Sequence, residues 1–177
     1  MLVRIFIGVS LSEELIRIAE SFKKQNSRLE GVRWVKPHNL HLTVSFLGEV
    51  PDNKIQEIST VLKEICTRHK KHFLLLEKID FSPGKKPYMF WMYFRMDEAF
   101  QKMYEEINRT LNENPYRSYP IPHVTLARFK KAHYFYKPVF PEVSNQKLVI
   151  NELILFRSFL EKQGARYQEL KRFKLAE

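Results

Sequence analysis

Two short segments of the chain carry the residue types of a proton-transfer site. Residues 41–44 read His-Leu-Thr-Val, and residues 123–126 read His-Val-Thr-Leu. Six histidines and five threonines placed at random in 177 residues would give only about 0.17 His-x-Thr triplets. Two copies with apolar residues at every x position, nearly half the chain apart, therefore indicate a repeated functional element.

The residue types in this motif suit chemistry on a phosphodiester. Histidine titrates near neutral pH, so one imidazole can accept a proton while the other, already protonated, donates one. Threonine hydroxyls can donate hydrogen bonds to the non-bridging oxygens of a phosphate held between them. We therefore take His41 and His123 as candidate catalytic residues, and Thr43 and Thr125 as candidate phosphate-binding residues, of a metal-independent in-line cleavage.

Both motifs lie in segments predicted to be β-strands, residues 41–47 and 123–129. Side chains alternate along a strand, so His41 and Thr43 share one face while Leu42 points to the other, towards the core. The same holds for the second copy. Two such strands placed side by side, or related by a pseudo-twofold axis, would present both imidazoles to one cleft.

The rest of the chain predicts a mixture of helices and antiparallel strands. Further strands are expected at 3–9, 73–81, 88–95, 148–156 and 167–175, with Gly48 ending the strand that begins at His41. Helices are expected after a capping box at Ser10 and Glu13 (ending near Gly31), after Pro51, and after an Asp97 cap. Strict βαβ alternation is missing, which favours an α+β fold in one domain spanning residues 1–177.

The amino-acid composition limits the classes of binding partner and of metal or disulfide site. The chain has 30 basic and 20 acidic residues, a net charge of +10, and Cys66 as its one cysteine. The basic balance predicts a polyanionic partner such as nucleic acid or a phosphorylated substrate. A single cysteine excludes an internal disulfide framework, a cysteine-based zinc finger and an iron–sulfur cluster. The first apolar segment, residues 1–11, is interrupted by Arg4 and is too short to span a membrane. We therefore expect a cytoplasmic protein with no membrane segment.

Two other interpretations of these features remain open. His38 and His41, or His69 and His72, have a spacing found in metal sites, but no nearby carboxylate or thiol completes either set. The chain could also be a non-catalytic RNA-binding module, with basic clusters tracking phosphates and aromatic side chains stacking on bases. The clusters are 70–71, 85–86, 130–131 and 171–172, and the candidate stacking residues are Trp34, Phe46, Phe129 and Tyr134.

The motifs and their flanks resemble a known family. The pair itself is similar to that of the two-histidine phosphoesterase superfamily, and specifically to the bacterial and archaeal RNA 2′,3′-cyclic phosphodiesterases, also called 2′-5′ RNA ligases. The resemblance extends over nearly the whole chain, through residues 4–9, 33–50, 122–128, 158–160, Gly164 and Tyr167. One departure is Val44-Ser45, where the family more often has a leucine and then a basic residue.

This resemblance implies a fold and a set of roles. The fold would be two lobes, each with an antiparallel sheet and outer helices, around a central cleft with pseudo-twofold internal duplication. His41 would protonate the leaving 3′ oxygen, His123 would activate water, and Thr43, Thr125 and Arg128 would contact the phosphate. Strict alternation puts Arg128 on the face opposite His123, so its role requires a bulge or a strand end near Ala127.

The implied reaction is hydrolysis of an RNA terminal 2′,3′-cyclic phosphate to a 2′-phosphate, without a cofactor. The substrate would be RNA, with tRNA halves as one candidate. We infer no obligate protein partner and expect a monomer. Joining of RNA ends through a 2′-5′ linkage, the reverse reaction in the same site, is the alternative within the family.

Overall fold

The structure of the chain is a computed structural model. It describes residues 1–112, 120–129, 137–143, 145–161 and 164–177. Within those ranges, no helix combines the length and the apolar character needed to cross a bilayer.

The described residues form nine strands and three α-helices. The strands are β1 (Leu2–Ser10), β2 (Val32–Trp34), β3 (His41–Pro51), β4 (His72–Ser82), β5 (Met89–Phe94), β6 (His123–Phe129), β7 (Lys147–Ile150), β8 (Glu152–Glu161) and β9 (Gly164–Lys174). The helices are α1 (Glu13–Gln25), α2 (Ile55–Arg68) and α3 (Glu98–Leu111). Short 3₁₀ turns at Pro37–Asn39 and Asp52–Lys54 precede β3 and α2.

The strands form one antiparallel sheet in the order β7-β4-β5-β6-β3-β1-β8-β9, with β2 pairing with β6. The sheet consists of two halves. In one, β6 pairs with β5 and β5 with β4, and in the other, β3 pairs with β1 and β1 with β8. The halves meet where β3 and β6 pair, with Leu42 opposite Val124. The two strands that carry the histidine motifs therefore form the junction of the sheet.

The three helices cover one face of the sheet and create the core. Ser12 caps α1 by accepting a hydrogen bond from the Leu15 amide, and Asp97 caps α3 by accepting one from Phe100. Each helix buries an apolar stripe, such as Leu15, Ala19 and Phe22 of α1, against the inward side chains of the strands. Burial of Cys66 in this core raises the pKa of its thiol to about 12.

The structure confirms the predicted α+β class with an antiparallel sheet, but several boundaries differ. The α1 cap is Ser12 rather than Ser10, and α1 ends at Gln25, well before Gly31. Strand β3 continues through Gly48, which adopts a positive φ of 75°, and ends at Pro51. A glycine can adopt that backbone conformation without breaking the ladder.

The predicted strand 148–156 is two strands. Its first part, β7, pairs with β4, where Leu148 lies opposite Leu74. Its second part, β8, pairs with β1 in the other half of the sheet. The exposed Asn151 separates them. This segment, apolar except at Asn151 and Glu152, thus crosses from one half of the sheet to the other.

Candidate active site

The junction of β3 and β6 brings the two motifs side by side. Residues opposite each other in a ladder project from the same face, so the Leu42–Val124 pair fixes the faces of both strands. Leu42 and Val124 are fully buried in the core. By alternation, His41, Thr43, His123 and Thr125 all project from the other face, which the helices leave open. We refer to this side of the sheet as the histidine face.

A bulge follows each motif at the same offset. In β3, Thr43 pairs with Gly8 and Ser45 with Ile7, so Val44 is an extra residue. In β6, Thr125 pairs with Trp91 and Ala127 with Phe90, so Leu126 is the extra residue. Both extra residues stand three positions after the histidine. The two halves therefore repeat the motif and the irregularity that follows it.

The bulge in β6 determines which way Arg128 points. Leu126 and Ala127 are both buried in the core, so the alternation is reversed after them. Arg128 therefore projects from the histidine face, where its Nη1 lies 3.0 Å from the sulfur of Met89. The irregularity that Arg128 requires near Ala127 is present.

The bulge in β3 has the opposite consequence for Ser45. Val44 and Ser45 are both buried. The Ser45 hydroxyl donates to Oδ1 of Asn108 on α3 at 2.8 Å, and Nδ2 of Asn108 donates to the Val44 carbonyl at 3.3 Å. The position at which the family resemblance is weakest thus faces helix α3 and not the histidine face.

Local hydrogen bonds define the tautomers of both histidines. Nδ1 of His41 lies 2.7 Å from the Asn39 carbonyl, and Nδ1 of His123 lies 2.6 Å from the Ile121 carbonyl. A carbonyl oxygen only accepts, so Nδ1 carries the proton and Nε2 is the atom that can gain or lose one. His72 makes the same bond to Lys70 at the start of β4, so this geometry is a feature of a histidine beginning a strand.

Aromatic rings surround His41. Its ring centroid lies 4.7 Å from that of Phe6, 4.9 Å from Tyr167 and 5.9 Å from Phe156. Burial among these rings lowers the pKa of His41 to about 4, against the hydrogen bond to Asn39, which raises it. In the free protein at neutral pH, His41 is therefore a neutral imidazole.

His123 has a different neighbour. Its ring stacks on the indole of Trp91, with centroids 3.5 Å apart and planes 16° from parallel. Trp91 is only 6% exposed and belongs to β5, opposite Thr125. The flat contact restrains the orientation of the imidazole on one side.

Cationic side chains lie near Tyr167. Burial raises the pKa of the Tyr167 phenol, while the positive charges of Arg128 and Arg4 act to lower it. The guanidinium of Arg4 also stacks over Phe46, 4.7 Å from the ring centre. Asn39 ties the β8–β9 hairpin to this region by donating to the Ala165 carbonyl at 2.8 Å.

Most of the other sequence-based candidates lie apart from this cluster, but Phe46 borders it as the cross-strand partner of Phe6. His69 pairs with Glu106 at 2.7 Å, and no three histidine, cysteine or acidic side chains in the described ranges lie close enough to hold a metal ion. Trp34 and Phe129 pack into the core, and Phe46 is 42% exposed. Tyr134 and the 130–131 basic pair lie outside the described residues.

Sequence reasoning assigned no role to several residues of the histidine face. Trp91 falls in a predicted strand and Tyr167 in the family-like C-terminal block, but neither carries a local motif. Phe6 and Phe156 read as ordinary core residues because their strands are almost wholly apolar. Pairing across strands, which sequence spacing does not specify, places them beside the histidines.

The arrangement can transfer protons to and from a ligand on the histidine face. It offers two imidazole Nε2 atoms, two hydroxyl donors and a guanidinium, on adjacent strands whose other faces are fixed in the core. A phosphate is the ligand that such a set of donors fits best.

Comparisons with known proteins also indicate a protein that acts on phosphate esters. A model of the LigT-like phosphoesterase family matches residues 6–91. An RNA 2′,3′-cyclic phosphodiesterase of Thermotoga maritima is 31% identical over 134 residues, which cover 72% of this chain and 70% of the relative.

Solved structures share the fold. A crystal structure of a Thermus thermophilus protein superposes with a TM-score of 0.83 at 25% identity, covering 97% of both chains. E. coli LigT complexed with 3′-AMP superposes with a TM-score of 0.77 at 22% identity, covering 100% of both chains. On the strength of the paired motifs, the shared fold and this similarity, the chain belongs to the LigT-like phosphoesterases of the two-histidine phosphoesterase superfamily.

Proposed function

We propose that this phosphoesterase hydrolyses the 2′,3′-cyclic phosphate at the end of an RNA to a 2′-phosphomonoester, using His41 and His123 as acid and base and no metal ion. The similar protein of T. maritima bears the name RNA 2′,3′-cyclic phosphodiesterase, and a nucleotide is bound in the E. coli LigT structure of the same fold. The net charge of +10 is in keeping with an RNA substrate.

One observation carries the proposal: the pairing of Leu42 with Val124. It puts two His-x-Thr motifs on adjacent strands and on the same face. A phosphate between the strands would have an imidazole and a hydroxyl on each side, as in-line displacement requires of a base and an acid.

The proposed step needs one proton acceptor and one proton donor. Nε2 of His123 takes a proton from water, and the water oxygen attacks phosphorus. The bond between phosphorus and O3′ breaks, and Nε2 of His41 gives its proton to O3′. The product carries the phosphate on O2′, and both imidazoles return to their starting states by exchange with solvent.

The surroundings of His41 determine when its imidazole is protonated and can act as an acid. Because burial holds its pKa near 4, the imidazole is neutral before substrate binds. A phosphodiester monoanion beside it would favour the charged form and raise that pKa. The acid is therefore formed with the substrate in place, and its activity falls as pH rises through the pKa of the complex.

Thr43, Thr125 and Arg128 are proposed to hold the phosphate. The two hydroxyls stand beside the two imidazoles on the same face and can donate to the non-bridging oxygens, where negative charge increases in the transition state. Arg128, on that face because of the bulge, adds a cation. Removal of one hydroxyl donor is expected to lower kcat by about 10²-fold.

The test is hydrolysis of an oligoribonucleotide ending in a 2′,3′-cyclic phosphate, with the product phosphate assigned by NMR. His41→Ala and His123→Ala are each expected to lower kcat by about 10²–10⁴-fold with the fold intact by circular dichroism. The wild-type rate is expected to be unchanged by EDTA, because proton transfer and hydrogen-bond donors supply the catalysis.

His38→Ala is the matched control, since His38 is exposed and lies three residues before His41. It is expected to keep wild-type activity. Turnover surviving in both histidine variants would contradict the mechanism, and tight RNA binding without any cleavage by the wild type would favour the non-catalytic module.

A further inference from the structure

Two arginines lie directly opposite each other beside the histidine motifs. Strand β2 pairs with β6, and in that ladder Arg33 is the partner of Arg128. Both side chains are exposed. Directly opposed residues in an antiparallel pair have their Cβ atoms about 4.5–5.5 Å apart, so the two arginine side chains leave the sheet at adjacent points.

The pair projects from the histidine face. Val32 and Trp34, which flank Arg33, both pack against the core. Ala127 and Phe129, which flank Arg128, are buried there as well. Alternation therefore directs both guanidinium groups to the side of the sheet that carries His41 and His123.

In the described part of the chain, neither Arg33 nor Arg128 forms an ion pair with an acidic side chain, whereas Arg172 on β9 bonds to both Glu152 and Glu169. Like charges directly opposite each other destabilise a sheet. Such a pair is favourable when an anion lies between the two side chains, and the planar guanidinium fork fits phosphate oxygens in particular.

The position of the arginine pair indicates which phosphate of the substrate it can bind. Arg128 follows Thr125 by three residues with one bulge, so their Cα atoms are about 7–10 Å apart along β6. Arg33 lies on β2, which pairs with β6 beyond the point where β3 pairs with it. The charge of Arg128 also acts on Tyr167, which contacts His41, so Arg128 belongs to the proposed catalytic cluster and Arg33 lies at its border.

We propose that Arg33, paired with Arg128, binds the internucleotide phosphate on the 5′ side of the terminal nucleotide. The proposal rests on the proposed function and adds to it that the preferred substrate is an RNA chain rather than a single cyclic nucleotide. This contact positions the RNA strand and does not distinguish one base from another.

The test compares three substrates: adenosine 2′,3′-cyclic phosphate, a trinucleotide ending in a 2′,3′-cyclic phosphate, and the same trinucleotide with a neutral methylphosphonate in place of its last internucleotide phosphate. Arg33→Gln is expected to lower kcat/KM about tenfold on the charged trinucleotide. It is expected to have no effect on the other two substrates, which lack the negative charge that Arg33 binds.

Two further variants complete the design. Arg33→Lys keeps the charge and is expected to recover part of the loss. Lys63→Gln removes a charge from an exposed position on α2, across the core from the histidine face, and is expected to leave all three rates unchanged. For Arg33→Gln, the slope of log kcat/KM against log salt on the charged trinucleotide should become shallower by about 0.7.

The outcomes separate this inference from the function on which it rests. An equal loss on the charged and the methylphosphonate trinucleotides, or no loss on either, would overturn the role of Arg33 while leaving the phosphodiesterase activity standing. If the wild type hydrolyses none of the three substrates, the proposed function itself fails.

Discussion

The two histidines have the same sequence motif and the same hydrogen bond from Nδ1 but opposite surroundings. His41 is enclosed by Phe6, Phe156 and Tyr167, which favour its neutral form. His123 lies flat on Trp91. The surroundings of His41 oppose the protonation that its proposed role as acid needs, so the negative charge of the bound phosphate must overcome their effect.

The burial of His41 predicts a pH dependence of stability. Its pKa is about 4 in the folded protein and about 6.5 in the unfolded chain, so the unfolded state binds more protons between these values. The free energy of unfolding therefore rises with pH through this window and its His41 contribution is constant above it. His41→Asn should reduce the loss between pH 7.5 and pH 4.5, by about 2 kcal/mol in urea denaturation.

The exposed His38→Asn is the control for that measurement and should lose as much stability on acidification as the wild type. An identical loss in wild type and His41→Asn would contradict the assignment of His41 as a buried neutral imidazole.

Trp91 is predicted to orient His123. Trp91→Leu removes the flat surface, so kcat should fall about tenfold while KM stays close to that of the wild type, because orientation and not binding is lost. Trp91→Phe keeps an aromatic face and should recover most of kcat. Steady-state kinetics on the cyclic phosphate measures both.

Trp34 provides the comparison, since it packs in the core against Phe22 and Phe90. Trp34→Phe should lower the melting temperature without changing kcat. A proportional fall of kcat and stability in the Trp91 variants would mean that Trp91 acts through packing alone.

At the scale of elements, the two bulges matter most for the site. Each adds one residue after a motif and reverses the side-chain alternation that follows it, until a second irregularity at Leu47 in the case of β3. The carbonyl of each of the two extra residues is satisfied. Val44 accepts from Asn108 on α3, and Leu126 accepts from the Val35 amide just after β2. Helix α3 and strand β2 thus hold in place the irregularities that orient the histidine face.

Gly8 on β1 is predicted to be required for the position of the His41 ring. A Cβ at this position would lie 2.8 Å from the Leu42 carbonyl and 3.5 Å from Cδ2 of His41. The backbone carbonyl cannot move without parting β1 from β3, so Gly8→Ala should cost about 1–3 kcal/mol of stability and lower kcat. Chemical denaturation and kinetics measure the two effects.

Gly84→Ala is the matched substitution, because a Cβ there would meet open space. It should leave kcat unchanged. Wild-type kinetics in Gly8→Ala would show that the close approach of β1 to His41 has no part in catalysis.

Most of the elements could be predicted from the sequence, and some of their boundaries could not. The Asp97 cap of α3 is a local signal, and it is present as predicted. The division of 148–156 at Asn151 and the pairing of the short strand β2 with β6 depend on partners distant in the chain. A segment's own residues do not encode which strand it will join.

At the scale of the whole molecule, the site depends on a narrow contact between two halves. The halves repeat the order of strand, motif and bulge, yet they meet at β3 and β6, where Leu42 faces Val124. The motif spacing predicts that repetition because each copy is a local pattern. The aromatic rings around His41 and the opposed arginines could not be predicted, because they come from pairings across the sheet.

The most direct test of the account is whether both imidazoles respond to one phosphate. Protein with isotopically labelled histidines is titrated with adenosine 2′-monophosphate and followed by NMR. The account predicts that the ring signals of His41 and His123 move together, with one half-saturation concentration, while those of His72 stay in place. Movement of only one of the two rings, or two different half-saturation concentrations, would contradict it.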